Sequence, residues 1–254
     1  MQIRLDKYLA DMGIGTRSEV KQYIRRKQVQ VNGDTAADAG RKVDTDRDQV
    51  SFQGNEIPYA EKEYYLFYKP QGCVSAVTDG RHKTVLDYIT GSRRKDLFPV
   101  GRLDMDTEGL LLITNDGALS HRLLSPACHV PKVYYARVSG EVTGEDAAHF
   151  WEGVDIGDEE PTLPARLTVL PRHGGGNGSA GEDAQVTEIE LTITEGRFHQ
   201  VKRMFAAVGK KVLYLKRISM GSLALDESLE PGGYRPLTEQ EVEDLYAPTD
   251  WRIP

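Results

Sequence analysis

Arg102 and Asp104 are the residues of this chain whose types and spacing most directly suggest chemistry. They stand between Val100 and the aliphatic residues 110–113, so that a charged step separates two apolar runs. Residues 110–113 have the length and composition of a buried strand. A desolvated carboxylate is costly without a partner, and Arg102 lies on the same face as Asp104 if the backbone is extended. The pair therefore indicates either a catalytic carboxylate or a structural ion pair at a turn.

The segment around Asp104 resembles a known catalytic signature, and three further segments support the likeness. The signature is that of the pseudouridine synthases in the family of ribosomal small subunit pseudouridine synthase A, and it is matched by Gly101-Arg102-Leu103-Asp104, Asp106-Thr107 and Gly109-Leu110. The family's entry-strand, tyrosine and basic motifs follow the same order and are matched by Tyr68-Lys69-Pro70-Gln71-Gly72, Lys132-Val133-Tyr134 and residues 195–204. Because these segments span most of the chain, the sequence is identified as a member of this family.

The resemblance implies that the protein converts a uridine in RNA to pseudouridine. This reaction breaks the N-glycosidic bond, turns the base and rejoins it through carbon, so that it needs no metal and no nucleotide cofactor. It needs an ionised carboxylate near the sugar in a sheltered site, and the family pattern gives this role to Asp104. Whether Asp104 is a nucleophile, or a stabiliser and base, stays open. Tyr134 is expected to stack on the extruded uracil. The catalytic candidates are thus Asp104, Tyr134 and Lys202.

Several basic residues are candidates for the cation that lies beside the catalytic carboxylate. The cation that keeps it ionised is Arg102, Lys202 or Arg203, and the family pattern favours Lys202. Arg102 is then expected to contact the RNA or to support the flipped-out nucleotide. Leu215 is expected to cover the base, while Arg203 and Arg217 are expected to contact the substrate RNA.

The distribution of charge supports ribosomal RNA as the partner. The net charge of −7 argues at first against a nucleic acid, because RNA affinity comes largely from Lys and Arg. However, residues 1–33 hold seven basic against three acidic residues, a surplus of four, and residues 197–217 hold seven basic residues and no acid. This segregation predicts a basic face with an acidic back. The positions of the first segment that are expected to meet phosphates are Arg17, Arg25, Arg26 and Lys27.

Residues 1–60 are predicted to form a small α/β RNA-binding domain that resembles the S4 domain. The spacing of apolar residues from Leu5 onward marks a short amphipathic helix. Thr16 and Glu19 have the spacing of a capping box, which predicts that a second helix begins there. An alternating strand and an Asn32-Gly33 turn follow, which is typical of a hairpin.

Residues 61–254 are predicted to form the catalytic domain, after a polar linker at residues 53–62. Its mixture of strand and helix patterns is typical of an α+β fold, and we expect a mixed, mainly antiparallel sheet flanked by helices. Strands fit residues 64–68, 133–138, 167–170, 186–193 and 212–215, and helices fit residues 84–89, 118–124, 145–151, 199–208 and 239–245. The glycine-rich residues 171–185 predict a flexible connection rather than a phosphate cradle, because the chain has no Gly-Lys-Ser/Thr motif.

The composition is that of an ordinary globular protein, with 39% hydrophobic and 28% charged residues. We find no apolar run long enough to span a membrane and no secretion signal, so that we expect a cytoplasmic protein. Cys73 and Cys128 are expected to be small buried thiols, because neither belongs to a disulfide framework or a metal-binding pattern. The chain is expected to act as a monomer.

Two segments bear on which ribosomal RNA is the substrate. Residues 195–209 and 231–238 resemble the small-subunit enzyme more than its large-subunit relatives, which predicts a uridine in 16S rRNA. A large-subunit 23S substrate is the alternative. A non-catalytic ribosome-assembly factor would explain the basic segments, but not the joint presence of Asp104, Tyr134 and Lys202. A thiol-dependent RNA methyltransferase would need the glycine-rich turn that binds its methyl donor, and no such turn follows a predicted strand.

Overall fold

A computed structural model describes residues 1–171 and 186–247 of the chain. The predicted flexible connection lies almost entirely outside the described residues, at 172–185. Among the described residues, no helix is both long enough and apolar enough to cross a membrane.

The chain divides into two compact units. The smaller unit consists of Met1–Glu63 and Ile89–Leu97, and the larger unit of Tyr64–Tyr88 and Phe98–Pro254. The sequence places residues 89–97 in the catalytic domain, whereas the contacts group them with the smaller unit. A domain boundary after residue 60 stays a prediction.

Arg94 is the residue that explains why Ile89–Leu97 belongs to the smaller unit. Its side chain is buried, and its guanidinium donates to the carbonyl oxygen of Ala60 at 3.1 Å and lies 3.5 Å from the Asp11 carboxylate. It also pairs with Asp96 in its own segment. A buried charge needs such partners, and two of them, Asp11 and Ala60, lie far away along the chain, so that no local pattern predicts them.

The smaller unit combines the two predicted helices with two small antiparallel sheets. Helix α1 spans Leu5–Asp11, and helix α2 spans Arg17–Arg25 and begins at a complete capping box between Thr16 and Glu19. The first sheet pairs β1 with β4, and the second has the order β3-β2-β5-β6; the strands are β1 (Gln2–Arg4), β2 (Val29–Val31), β3 (Asp34–Thr35), β4 (Lys42–Asp44), β5 (Val50–Phe52) and β6 (Asn55–Glu56). Both helices pack on the strands through a shared core that includes Leu5, Leu9, Val20, Ile24, Val29 and Val43.

Two tight turns connect strands of the second sheet, β3-β2-β5-β6, and only one of them was predicted. Asn32 and Gly33 have φ of 56° and 85°, which confirms the turn expected between β2 and β3. Gln53 and Gly54 have φ of 51° and 84° and form a second turn of the same kind. Because this turn pairs β6 with β5, the prediction that residues 53–62 are only a linker is wrong for its first part.

The larger unit is built on one mixed sheet with nine strands among the described residues, which confirms the predicted α+β class. The strands are β7 (Tyr64–Lys69), β8 (Phe98–Pro99), β9 (Glu108–Thr114), β10 (Lys132–Ser139), β11 (Arg166–Val169), β12 (Val186–Ile193), β13 (Val212–Met220), β14 (Leu223–Ala224) and β15 (Tyr234–Pro236). Their main order is β11-β12-β10-β13-β9-β7-β15, with β14 on β13 and β8 on β9. Among these pairs only β9 and β13 run parallel.

The helices of the larger unit occur where the sequence predicts them, with one exception. They are α3 (Gly117–Leu124), α4 (Gly144–Glu152), α5 (Gln200–Ala207) and α6 (Glu239–Tyr246). The predicted helix at residues 84–89 is instead a single 3-10 turn at Val85–Tyr88. Cys73 is buried as expected, but Cys128 is exposed, so that the prediction of a buried thiol is wrong there.

Gly109 allows the parallel strands β9 and β13 to approach each other closely. It is paired with Arg217 and has a φ of 108°, and a Cβ atom built on it would lie 2.2 Å from the Arg217 carbonyl oxygen. No side chain larger than hydrogen fits at such a distance. This contact brings the segment that follows Asp104 against the strand that carries Leu215 and Arg217.

Candidate active site

One cleft in the larger unit gathers most of the residues that the sequence singles out. Its walls come from the loop before β9, from β10, from β13 and from the start of α5. The predicted site residues that line it are Arg102, Asp104, Tyr134, Lys202, Leu215 and Arg217. Residues almost 100 positions apart in the chain therefore meet at one place, as catalysis by several groups requires.

Asp104 lies in this cleft with its carboxylate about one quarter exposed. The Lys202 Nζ atom is 2.8 Å from Asp104 Oδ2, and the His199 Nε2 atom is 3.4 Å from Asp104 Oδ1. In the described part of the chain, no ion pair joins Arg102 to Asp104, although the two are only two residues apart. The partner of the carboxylate is thus the lysine, and Arg102 is exposed at the cleft.

Lys202 holds two carboxylates at once. Its Nζ atom also lies 2.6 Å from Oδ1 of the exposed Asp106. Partial burial on its own lowers the pKa of Lys202, but the hydrogen bonds and charges of the two carboxylates outweigh this effect and raise the pKa. The same ammonium lowers the pKa of Asp106. A permanently charged lysine therefore stands beside Asp104 at neutral pH.

A second lysine, Lys69, fixes the backbone of the loop that carries Asp104. It is fully buried at the end of β7, and its Nζ atom donates to the carbonyl oxygens of Pro70, Asp104 and Thr107 at 3.0, 2.9 and 2.9 Å. Burial lowers the pKa of this lysine. The loop is also held by Ser75, whose Oγ atom donates to the carbonyl of Leu103 and accepts from its N–H. Sequence reasoning placed Lys69 in a motif but gave it no role.

We expect Lys69→Met to lower the free energy of unfolding by about 3 kcal/mol, because several buried carbonyl groups lose their donor. Lys211→Met is the matched control, since Lys211 is an exposed lysine of the same unit; its effect should stay below about 0.5 kcal/mol. Urea denaturation followed by circular dichroism measures both values. Equal stability of the two variants would contradict the role assigned to Lys69.

Tyr134 and Leu215 provide the apolar part of the cleft. They lie on the neighbouring strands β10 and β13, and both side chains are buried while lining the cleft. Tyr135, the next residue along β10, is half-buried on the opposite face of the sheet. The flat ring of Tyr134 and the aliphatic side chain of Leu215 thus offer a slot of the kind that holds an aromatic base.

The basic motif enters the cleft through an unusual backbone conformation at His199. This residue precedes α5 with a φ of 49°, which turns its ring toward Asp104. The ring of Phe198 stacks on it at 3.8 Å and is 75% exposed. Arg203, on the same helix, does not line the cleft; its guanidinium pairs with Asp158. The structure thus separates Arg203 from the other candidates of the larger unit, while His199 and Phe198 are neighbours that sequence reasoning left without a catalytic role.

The basic candidates of the smaller unit all lie on or just after α2. Each of their side chains is exposed, and Arg17, Lys21 and Arg25 follow each other at intervals of four, so that they share one face of the helix. The set predicted from the sequence is Arg17, Arg25, Arg26 and Lys27. This surface has the positive charge and the accessibility that contact with phosphates requires.

The fold and the cleft define a class of protein that comparison with known families identifies. The family model described as "RNA pseudouridylate synthase" matches residues 63–207, and the model described as "S4 domain" matches residues 3–50. A solved structure described as a pseudouridylate synthase is 38% identical, covers 96% of this chain and 99% of its own, and superimposes with a TM-score of 0.64.

Relatives match over almost their full length. An uncharacterized RNA pseudouridine synthase, YtzG of Bacillus subtilis, is 45% identical over 97% of this chain and 99% of its own. The ribosomal small subunit pseudouridine synthase A of Escherichia coli is 39% identical over 96% of this chain and 100% of its own. The chain therefore belongs to the RNA pseudouridylate synthase family: it is an enzyme whose substrate is RNA, with an S4 domain at its N-terminal end. The family predicted from the four sequence segments is confirmed.

Proposed function

We propose that this enzyme converts one uridine of small-subunit 16S rRNA to pseudouridine. Full-length relatives from Haemophilus influenzae and Escherichia coli that carry the name ribosomal small subunit pseudouridine synthase A support this substrate. The single observation that carries the chemistry is the Asp104 carboxylate, which Lys202 holds at 2.8 Å in a cleft shared with Tyr134 and Leu215.

The geometry supports a distinct role for each residue of the cleft. Asp104 acts at C1′ of the ribose, where the bond to N1 of uracil breaks and the bond to C5 forms. Lys202 places its positive charge against this carboxylate and offsets the water that the cleft removes from it. Tyr134 stacks on the uracil after it has left the RNA stack, and Leu215 covers the base and excludes water. Arg217 contacts the target nucleotide inside the cleft.

The remaining basic residues bind the RNA around the target. Arg102 is exposed at the cleft, where it meets the RNA beside the flipped nucleotide. Arg203 supports the site indirectly, since it ties α5 to Asp158 and to the carbonyl of Ile156. The exposed residues of α2 hold phosphates and position the enzyme without reading bases. Residues 1–60 thus form the RNA-binding domain and residues 61–254 the catalytic domain of a monomer that acts in the cytoplasm, where ribosomes are assembled.

Mapping of pseudouridines in ribosomal RNA tests this function. In a strain that lacks the gene, 16S rRNA should lose one pseudouridine, and the wild-type gene should restore it. The matched control is the Asp104→Asn gene, which should not restore it. Loss of a 23S pseudouridine would overturn the proposed substrate, and an unchanged pattern in both RNAs would overturn the proposed function.

We expect neutralisation of the α2 surface to weaken RNA binding mainly through its salt dependence. In the variant Arg17→Gln, Arg25→Gln, Arg26→Gln, Lys27→Gln, the slope of log affinity against log salt should fall by about 3 in magnitude, because each lost phosphate contact removes about 0.7. The rate at saturating RNA should stay within about threefold, because the cleft is untouched. Arg47→Gln, an exposed basic residue outside α2, is the control and should change the slope by less than about 1. An unchanged slope in the fourfold variant would contradict the role of this surface.

A further inference from the structure

Two cations lie buried in the wall of the cleft without an acidic partner. Lys132 is 5% exposed and Arg217 is 3% exposed, and both line the cleft. Among the described residues, neither makes an ion pair. The Lys132 Nζ atom donates to the carbonyls of Val130 and Leu123 at 2.8 and 3.3 Å, while Arg217 Nε donates to Leu110 at 2.8 Å. The Nη2 atom of Arg217 is buried and, within the described part of the chain, has no acceptor.

The strand register places both cations beside the proposed position of the base. Tyr134 and Arg217 are direct partners on β10 and β13, so that their side chains are neighbours in the cleft. Lys132 precedes Tyr134 by two residues and Leu215 precedes Arg217 by two, and this spacing puts each pair on one face of its strand. Lys132 is therefore next to Tyr134 along β10, and Arg217 lies beside both Tyr134 and Leu215, the two side chains that we assign to the uracil.

The acids of the cleft form no ion pair with either cation among the described residues, and Glu195 acts on Lys132 only through its charge. Asp104 is held by Lys202. Glu195, which is buried, accepts from Arg197 Nε and Gln200 Nε2 at 2.9 Å each and from the backbone of Leu163. Two like charges close together in a site with little water are expensive unless an anion completes the site. Consistent with this cost, burial and the neighbouring Arg217 lower the pKa of Lys132 to about 8.

We propose that Lys132 and Arg217 are further catalytic residues, which stabilise the negative charge on the uracil ring while it is detached from the ribose. This inference rests on the proposed function and adds the group that supports the leaving base. When the C1′–N1 bond breaks, its electron pair stays with uracil, and the charge spreads over N1, O2 and O4. C5 then donates an electron pair to C1′, the hydrogen on C5 leaves as a proton, and N1 takes up a proton.

Groups that stabilise a charge formed during the reaction are expected to change the single-turnover rate more than the affinity for RNA. In Arg217→Gln and Lys132→Gln, the single-turnover rate at saturating RNA should fall about 100-fold or more, as it does when a buried donor to a developing anion is removed. The affinity for RNA should stay within about threefold, because most of the affinity comes from phosphate contacts outside the cleft. Arg217→Lys, which keeps the charge, should retain more of the rate than Arg217→Gln. Thermal melting identifies any variant that fails to fold, and Arg217→Lys and Lys132→Gln then decide the question.

The discriminating measurement repeats these rates with 5-fluorouridine at the target position. The fluorine on C5 cannot leave as a proton, so the base stays fluorinated after C5 has bonded to C1′, and water adds at C6 while N1 takes up a proton. The rate is read as loss of 5-fluorouridine from digested RNA by mass spectrometry. Fluorine withdraws electrons and stabilises the detached base, so that the charge-removing variants should lose clearly less rate on this substrate than on uridine. Leu215→Ala, which changes the same cleft without changing its charge, should lose equal factors on both substrates.

Equal factors for the charge-removing variants would overturn the inference and leave the two cations a structural role. Rates that match the wild type would overturn it as well. Absence of any turnover by the wild-type enzyme would be a different result, because it would refute the proposed function on which the inference rests.

Discussion

Asp104→Asn should abolish pseudouridine formation, with a loss of at least about 1000-fold in the rate at saturating RNA. The amide has the size of the carboxylate and can still accept a hydrogen bond from Lys202, so that the cleft keeps its shape. It carries no negative charge, however, and can neither attack the sugar nor act as a base there. RNA affinity should stay within about threefold of the wild type, because binding depends on other surfaces. Chromatography of nucleosides from digested RNA measures the product.

Asp106→Asn is the matched control for this result. Asp106 bonds to the same lysine atom at 2.6 Å but is 69% exposed and does not line the cleft. Its loss should lower the rate by less than about tenfold, because exposed ion pairs contribute little. Substantial turnover by Asp104→Asn, or equal losses in the two variants, would remove Asp104 from the mechanism.

Lys202→Met should have the second largest effect, a loss of about 100-fold in the rate at neutral pH. The variant removes the only ammonium in contact with the Asp104 carboxylate among the described residues, so that the carboxylate loses both its counter-ion and its hydrogen-bond donor. Lys202→Arg, which keeps the charge, should recover part of the rate.

Lys210→Met is the control for the loss of a paired lysine. Lys210 bonds to Asp146 at 2.7 Å in the larger unit and does not line the cleft. This variant should lose some stability but should keep the wild-type rate at saturating RNA. A rate of Lys202→Met within about threefold of the wild type would contradict the assignment of Lys202 as the cation that supports Asp104.

Local elements of this protein were predictable because their signals are short-range. The capping box at Thr16, the turn at Asn32-Gly33 and the alternating strand β12 each depend on residues within a few positions of one another. The composition of the cleft was predictable for a different reason, because the four segments that resemble the family name its residues without giving their geometry.

Contacts between distant residues were not predictable in this way. Proximity in sequence suggests Arg102 as a partner of Asp104, yet the partner is Lys202, 98 residues away. Lys69 donates to carbonyl groups that only tertiary packing brings to it. The contacts that place Ile89–Leu97 in the smaller unit also depend on tertiary packing, which no local pattern encodes. The turn at Gln53-Gly54 was missed because Gln is a weak signal for a positive φ.

Release of tritium from RNA that carries [5-³H]uridine tests the central claim most directly, since a new bond at C5 of uracil must expel this hydrogen. Purified wild-type enzyme and 16S rRNA without modifications should release tritium equivalent to about one uridine per RNA, and Asp104→Asn should release none. Absence of release by the wild-type enzyme, on an RNA that it binds, would contradict the account.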